Sequence, residues 1–230
     1  MAVDVTAIIP ARGGSKRLPK KNLALLCGKP LLQYTIDAGL QSQSVRRVIV
    51  STDDPEIARL STDLGAHSVL IRPAELATDT ATTSEVLVHI ARELATSSSP
   101  PEVLVLLQPT SPMRRAAHVD EAVDLLFRLS ADTVTAVRLV SDHPYFMWRR
   151  EGECIHPLFS LEHQEPGRVV LPEYFIENGS ILVVRRLSLL RHGLYGPRTV
   201  PYVMDAVSSV DIDEATDLAW ATFLLTGQPG

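Results

Sequence analysis

A chain of 230 residues, 45% hydrophobic and 21% charged, is long enough to bury one substantial core. Its formal net charge of −5 argues against a general nucleic-acid or membrane-surface binder, so any basic cluster must be a local feature. Cys27 and Cys154 are the only cysteines and lack metal-ligand spacing, which fits a reducing cytoplasm and excludes a disulfide framework.

The first residues put Asp4 ahead of only a few apolar positions and do not read as a signal peptide. No apolar run approaches the length of a transmembrane helix. Val5-Thr6-Ala7-Ile8-Ile9 is a β-branched run closed by Pro10 and predicts a buried strand. Pro30 to Gln41 has apolar residues at helical spacing with proline at its start. A strand at Val45 to Ser51, a helix at Asp54 to Leu64, a strand at His67 to Ile71 and a helix at Ser84 to Ala95 follow. Val103 to Leu107 is the most continuous apolar run, as a central parallel strand should be. A helix near Ala116 to Leu129 and the strand "TVTAV" complete a βα alternation, which implies an α/β domain with a mainly parallel sheet.

The alternation stops between Ser141 and Pro172. That segment, with "YFMWRREGECIHPLF", reads either as a β-excursion covering part of the core or as a dimerisation arm. Residues 1–140 and 173–230 would form the core, and 141–172 the projecting hairpin. Ser180 to Val184 returns as a strand, and Ile212 to Leu225 makes the last helix.

Ligands in open α/β sheets sit beyond the carboxyl ends of the strands. "IIPARGGSKRLPKKN" occupies that place after the first strand. Gly13-Gly14-Ser15 can turn sharply and present N–H groups to an anion, while Arg12, Lys16, Arg17, Lys20 and Lys21 surround the same space with positive charge. This suits a triphosphate; the bland alternative is a solvated charge run. The motif is neither a Walker A loop nor a G-x-G-x-x-G fingerprint. In "SSVDIDEATDL", Asp211 and Asp213 alternate on an extended segment and can reach one hard cation, or Asp213 can instead cap the following helix. Arg72, Gln108 and Asn178-Gly179 fall at other strand ends, where a binding crevice needs polar groups. His118 and His163 have no visible partners, and Ser15 has no histidine–acid pair that would make it a nucleophile.

Seven motifs in fixed order, "IIPARGGSKRLPKKN", "GKPLLQYTI", "IRPAELATDTATT", "LLQPTSPMR", "DHP", "NGSI" and "VDID", resemble the N-acylneuraminate cytidylyltransferase (CMP-sialic acid synthetase) family. The resemblance runs from about residue 5 to residue 220. It implies a Rossmann-like nucleotidyltransferase fold, a homodimer with crossing hairpin arms, and Mg²⁺-dependent transfer of CMP from CTP to an acidic acceptor with release of pyrophosphate. Position by position, Ala11, Arg12, Gly13, Ser15, Lys21 and Asn22 would hold the CTP phosphates and nucleotide. Arg72 and Thr82–Thr83 match the cytosine and ribose region, and Gln108, Arg168 and Asn178 the acceptor region. Asp211 and Asp213 match the metal aspartates. Arg12, Lys21 and Asp211 would then carry catalysis.

The sequence also departs from that family. Ile176 stands where an arginine would be and Leu182 where a tyrosine would be, while Leu194 and Tyr195 replace paired phenylalanines of the N-acyl pocket. Arg168 aligns only after a one-residue shift. The nucleotide and metal residues are kept while acceptor residues change, so the acceptor reads as a sialic-acid-like nonulosonic acid or as a small phosphonate such as phosphonoformate. A metal-dependent glycosyltransferase is the alternative from another class. A catalytically dead nucleotide-binding protein is disfavoured by the intact cation and carboxylate sets.

Overall fold

The computed structural model describes residues 3–159 and 171–227. Its centre is a seven-stranded sheet in the order β11-β7-β10-β6-β1-β4-β5. The strands are β1 (Val5–Pro10), β4 (Arg47–Thr52), β5 (Ser68–Ile71), β6 (Val103–Leu107), β7 (Thr133–Leu139), β10 (Phe175–Arg185) and β11 (Thr199–Val203). All neighbours pair in parallel except β10, which runs antiparallel to both β6 and β7. Two short hairpins stand outside this sheet: β2 (Leu25–Leu26) with β3 (Lys29–Pro30), and β8 (Trp148–Glu151) with β9 (Cys154–Pro157).

Helices cover both faces, and the period-2 alternation of the strands decides which residue meets which layer. Ala7 and Ile9 of β1, with Val105 and Leu107 of β6, face α1 (Leu31–Gln41), α2 (Pro55–Asp63) and α4 (Ala116–Arg128). Ile8, Leu104 and Leu106 point the other way, onto α3 (Thr83–Ala95) and α5 (Arg186–His192). Leu104 and Leu107 are fully buried, each contributing about 1.5–3 kcal/mol by removal from water. A third, smaller cluster seats Ile212 against Leu26 and Leu31, below α6 (Ala215–Thr226).

The expected strands and helices up to β7 are present, with ends shifted by a few residues at most. The later chain differs more. β10 begins at Phe175, five residues before the expected Ser180, and carries a register irregularity between Glu177 and Leu182 where Gly179 has φ 69°. Asn178-Gly179 therefore lies within the strand, not ahead of it. The last helix begins at Ala215 rather than Ile212, because the Ile212 N–H donates to the Thr110 carbonyl at 2.8 Å and holds that segment extended. Glu214 and Asp217 cap it, not Asp213: Asp217 accepts from the N–H groups of both Asp213 (2.8 Å) and Glu214 (2.9 Å). Strand β11 and helix α5 were not anticipated at all. The β8–β9 hairpin exists where a projecting hairpin was expected, with Trp148 and Ile155 exposed.

Candidate active site

Strand β1 has β4, which follows it in the chain, on one side and β6 on the other, so the topology switches direction between β1 and β6. A parallel α/β sheet opens a crevice at such a point. Here the loops after β1, β5 and β6 enclose a cleft of about 490 Å³. Among the described residues Arg12, Lys16, Arg17, Lys21 and Arg72 line it, against two carboxylates, Asp79 and Asp213. The cleft is thus strongly cationic in a chain that is acidic overall.

Each cation has its own support. Arg12 donates to the Asp79 carboxylate at 3.0 Å and to the Thr78 carbonyl at 3.3 Å. Lys16 reaches the other Asp79 oxygen at 2.6 Å, and the hydrogen bond from Lys16 is the main reason the Asp79 carboxyl lies below its ordinary range. Lys21 is the most sheltered of the loop cations, with Nζ 2.9 Å from Asp213 Oδ1, while Arg17 holds Asp213 Oδ2 at 2.8 Å. Arg72 is nearly buried and donates to the Ser51 carbonyl at 3.1 Å; burial pushes its pKa down, opposed by Asp53. Lys20 does not join them. Its backbone is left-handed (φ 51°), which turns the side chain away to an ion pair with Glu56 at 2.7 Å, so four of the five loop cations share the cleft.

The glycines act differently from the sequence expectation. Neither Gly13 nor Gly14 has positive φ. Gly13 is required by close approach, since a Cβ there would lie 2.6 Å from Asp54 Oδ2 and 2.8 Å from Asp54 Cβ. Asp54 can retreat only by giving up its cap on α2, where it accepts from the N–H groups of Glu56 (2.7 Å) and Ile57 (3.2 Å). The Gly13 N–H itself donates to Asp53 Oδ1 at 3.0 Å. Asn22 braces the loop from beneath, its amide donating to the Arg12 carbonyl at 2.8 Å, while Ala11 is fully buried behind it. Ser15 and Asn22 both line the cleft.

Thr83 and Gln108 also line the cleft, but Thr82 does not. The Thr82 hydroxyl belongs to the capping box of α3, accepting from the Glu85 N–H at 3.2 Å and donating to its carboxylate at 2.8 Å. Asn178 is buried away from the wall and donates to Ser209 Oγ at 2.9 Å. Arg168 lies outside the described residues, as does His163. His118 has partners after all: it is buried at the start of α4, where its Nδ1 accepts from the Arg115 N–H at 3.3 Å, and burial lowers its pKa.

Asp213 lines the cleft, and Asp211 sits beside it against Thr110. Although Asp211 is open to solvent at its surface, protein packed around the carboxyl pushes its pKa up. A Thr110 hydrogen bond pulls it back and the charge of Asp213 pushes it further up. Lys21, through its hydrogen bond first, holds the Asp213 carboxyl below its ordinary range. No group of three or more histidine, cysteine or carboxylate side chains able to hold a metal occurs among the described residues. Two adjacent carboxylates suit magnesium where phosphate oxygens complete the coordination, so the donor set fits that ion in company with a nucleotide.

With this geometry in place, comparison with known proteins gives the affiliation: residues 6–146 match the protein family described as cytidylyltransferase. The chain belongs to the cytidylyltransferase family. It is 37% identical over 231 residues to the N-acylneuraminate cytidylyltransferase of Escherichia coli O18:K1:H7 (strain RS218 / NMEC), a match covering 96% of this chain and 52% of that protein. It is 33% identical over 232 residues to the CMP-N,N'-diacetyllegionaminic acid synthase of Legionella pneumophila subsp. pneumophila (strain Philadelphia 1), covering 94% and 93% respectively. The chain thus spans about half the length of the first relative and nearly all of the second. In fold it is similar to a solved CMP:2-keto-3-deoxy-manno-octonic acid synthetase complexed with CTP, with TM-score 0.71, 20% identity, and coverage of 97% of this chain and 99% of that one.

Three features in and behind the cleft are not visible in the sequence. Asp79 sits in the polar run "LATDTATT" and gives no signal of the two cations it gathers. Thr110 joins the loop after β6 to the aspartate segment. Arg114, at the end of "PTSPMR", is buried where an exposed loop arginine would be the ordinary expectation. Of the departures noted from family pattern, Leu182 is core, packed with Leu106 and Val184. Tyr195 is about half exposed at its surface and donates to Glu177 at 2.8 Å; desolvation by the protein around the phenol, and then that hydrogen bond, push its pKa up to about 12.

Proposed function

We propose that this protein transfers CMP from CTP to a nonulosonic acid, releasing pyrophosphate. The observation that carries the reading is the cationic crevice at the β1–β6 switch point, with Arg12, Lys16, Arg17, Lys21 and Arg72 facing Asp213 across it. Four such cations on one loop suit a triphosphate better than a nucleotide-sugar diphosphate. The names of the Escherichia coli and Legionella relatives point to a nine-carbon sugar acid as acceptor.

In this mechanism Arg12, Lys16 and Lys21 bind the phosphates, and Arg72 and Thr83 position the nucleoside. Gln108 orients the acceptor. The acceptor hydroxyl oxygen forms a bond to the α-phosphorus, its proton passing to solvent, as the bond from that phosphorus to the bridging oxygen breaks and the electron pair leaves with pyrophosphate. Arg12 and Lys21 stabilise the charge growing on that leaving group. Asp211 and Asp213 would hold a magnesium ion, which when bound supplies neutralisation of phosphate charge. Asp79 and Asp213, paired with the loop cations in this structure, give those cations up to the nucleotide on binding.

Partners follow from the same reading. The exposed Phe146, Trp148, Ile155 and Leu158 on and beside the β8–β9 hairpin suit contact with a second copy, making a homodimer whose mass sedimentation would report. Among the described residues no helix is long and apolar enough to cross a membrane.

The test is pyrophosphate release from CTP and Mg²⁺ with N-acetylneuraminate, N,N'-diacetyllegionaminate and phosphonoformate as parallel acceptors. Release with a nonulosonic acid, abolished by chelator and by Asp211→Ala in a folded protein, is the expected result. Release with phosphonoformate alone moves the acceptor to the phosphonate class. Nucleoside diphosphate release from a sugar donor, with no pyrophosphate from CTP, refutes the reading in favour of glycosyl transfer.

A further inference from the structure

Arg114 lies between β6 and α4 at 3% exposure and has no ion-pair partner among the described residues. Its guanidinium donates instead to neutral oxygens: from one terminal nitrogen to the Gln108 carbonyl (3.0 Å) and the Ser180 carbonyl (2.7 Å), and from the other to Thr35 Oγ (2.6 Å). The Thr35 hydroxyl in turn donates to the Gln108 carbonyl at 3.3 Å. Burial lowers the pKa to about 9, which leaves the group a cation at neutral pH. A buried cation without a counter-ion is costly, and an apolar side chain would fill the same space at less cost to folding. Packing does not account for the arginine.

Its position in the sheet does. The antiparallel ladder between β10 and β6 begins at the pair Ile181–Leu107. Ser180 and Gln108 are the next residues outward, where the strands part, and Arg114 takes up both carbonyls that the ladder no longer serves. The polar chain continues from there. The Ser180 N–H donates to Asn178 Oδ1 at 3.0 Å, and the Asn178 amide donates to Ser209 Oγ at 2.9 Å, two residues before Asp211. On the other side, the Thr110 carbonyl accepts from the Ile212 N–H. One buried network therefore joins Gln108 in the cleft wall to the Asp211–Asp213 segment.

We propose that Arg114 is a positioning residue: by holding the Gln108 and Ser180 carbonyls just past the end of the β6–β10 ladder, it aims the Gln108 side chain into the cleft. The proposal rests on the cytidylyltransferase reading of the cleft. It separates acceptor from nucleotide, because the hydrogen bonds of Arg114 go to Gln108, Ser180 and Thr35 and not to the cation loop after β1.

Arg114→Lys, Arg114→Met and Thr35→Val separate the roles. Each is compared with wild type for CTP affinity by calorimetry with Mg²⁺, for KM and kcat toward whichever of N-acetylneuraminate and N,N'-diacetyllegionaminate the wild type turns over, and for thermal unfolding. Lysine keeps the charge but cannot span three acceptors, so Arg114→Lys should lower kcat/KM for the acceptor about 10- to 100-fold, mostly through KM, with CTP affinity within about threefold. Thr35→Val, which removes a single hydroxyl, should fall between, and its effect should not add to that of Arg114→Lys. A variant whose kcat falls only in step with its folded fraction, at unchanged acceptor KM, overturns the proposal, as does parallel loss of CTP affinity. Thr35→Val keeps the question open to refutation where Arg114→Met does not fold. No transfer by the wild type from CTP to any acceptor refutes the reading of the cleft, and this proposal with it.

Discussion

Lys21→Met tests the electrostatic reasoning most directly, because structure and chemistry predict very different losses. Lys21 Nζ lies 2.9 Å from Asp213 Oδ1, with the lysine side chain 17% exposed. After substitution Asp213 keeps Arg17 at 2.8 Å, although that arginine is 69% exposed and well screened. The folding loss should therefore stay within about 1 kcal/mol, the usual ceiling for a partly solvated ion pair. Loss of a preorganised cation aimed at the leaving pyrophosphate should instead lower kcat about 10²- to 10³-fold, equivalent to roughly 3–4 kcal/mol. Urea unfolding gives the first quantity and pyrophosphate release under saturating CTP the second. The stability part also has a sign in pH. Asp213 is held below its ordinary value of 3.8, chiefly by the Lys21 hydrogen bond, so the pair stabilises the fold above that pH and ceases to as pH falls through the lower folded value. The difference in stability between wild type and Lys21→Met should thus be visible at neutral pH and vanish in strong acid. A kcat loss below tenfold, or an activity loss matched by a folding loss of the same size, would refute the argument.

Gly13→Ala should push Asp54 from its cap, costing about 1 kcal/mol in urea unfolding while weakening CTP binding far more than that loss explains. Asp79→Asn should tighten CTP binding measured by calorimetry, because Arg12 and Lys16 then no longer share a competing carboxylate; weaker binding would mean that Asp79 holds these cations in place for the nucleotide. At Asp120, desolvation is outweighed by hydrogen bonds from Ser42 Oγ and the N–H groups of Ser44 and Gln43, and its pKa lies below 3.8. Asp120→Asn should therefore cost about 1–2 kcal/mol in thermal unfolding at neutral pH, a difference that disappears as pH falls below the folded value.

The first half of the fold was legible because β1, β4, β6 and β7 are apolar runs buried between helix layers. The runs at Val5, Val103 and Thr133 name their own positions. β11 was not legible for the converse reason. As an edge strand parallel to β7 it exposes alternate residues and tolerates Pro201, so "TVPYV" carries no full apolar run and holds a residue that ordinarily argues against a strand. β10 showed its apolar end at Ile181–Val184, but its exposed beginning, "FIEN", resembles loop until paired with β7. Its antiparallel direction follows from where the chain re-enters the sheet, which local periodicity cannot express.

The site divides along the same line. Residue type and order along the chain determined that cations follow β1, that paired carboxylates precede the last helix, and that Gln108 follows the central strand, because these are matters of spacing within one loop or strand. Only the tertiary structure decided that Lys20 turns away, that Gly13 is there to make room for Asp54, that Thr82 is taken up by a cap, and that Asp79 lies across Arg12 and Lys16. It also buried Arg114 against the Gln108 and Ser180 carbonyls. Each of these depends on residues tens of positions apart or on a hydrogen bond already claimed elsewhere, and side-chain partners of that kind exist only once the sheet has brought the loops together.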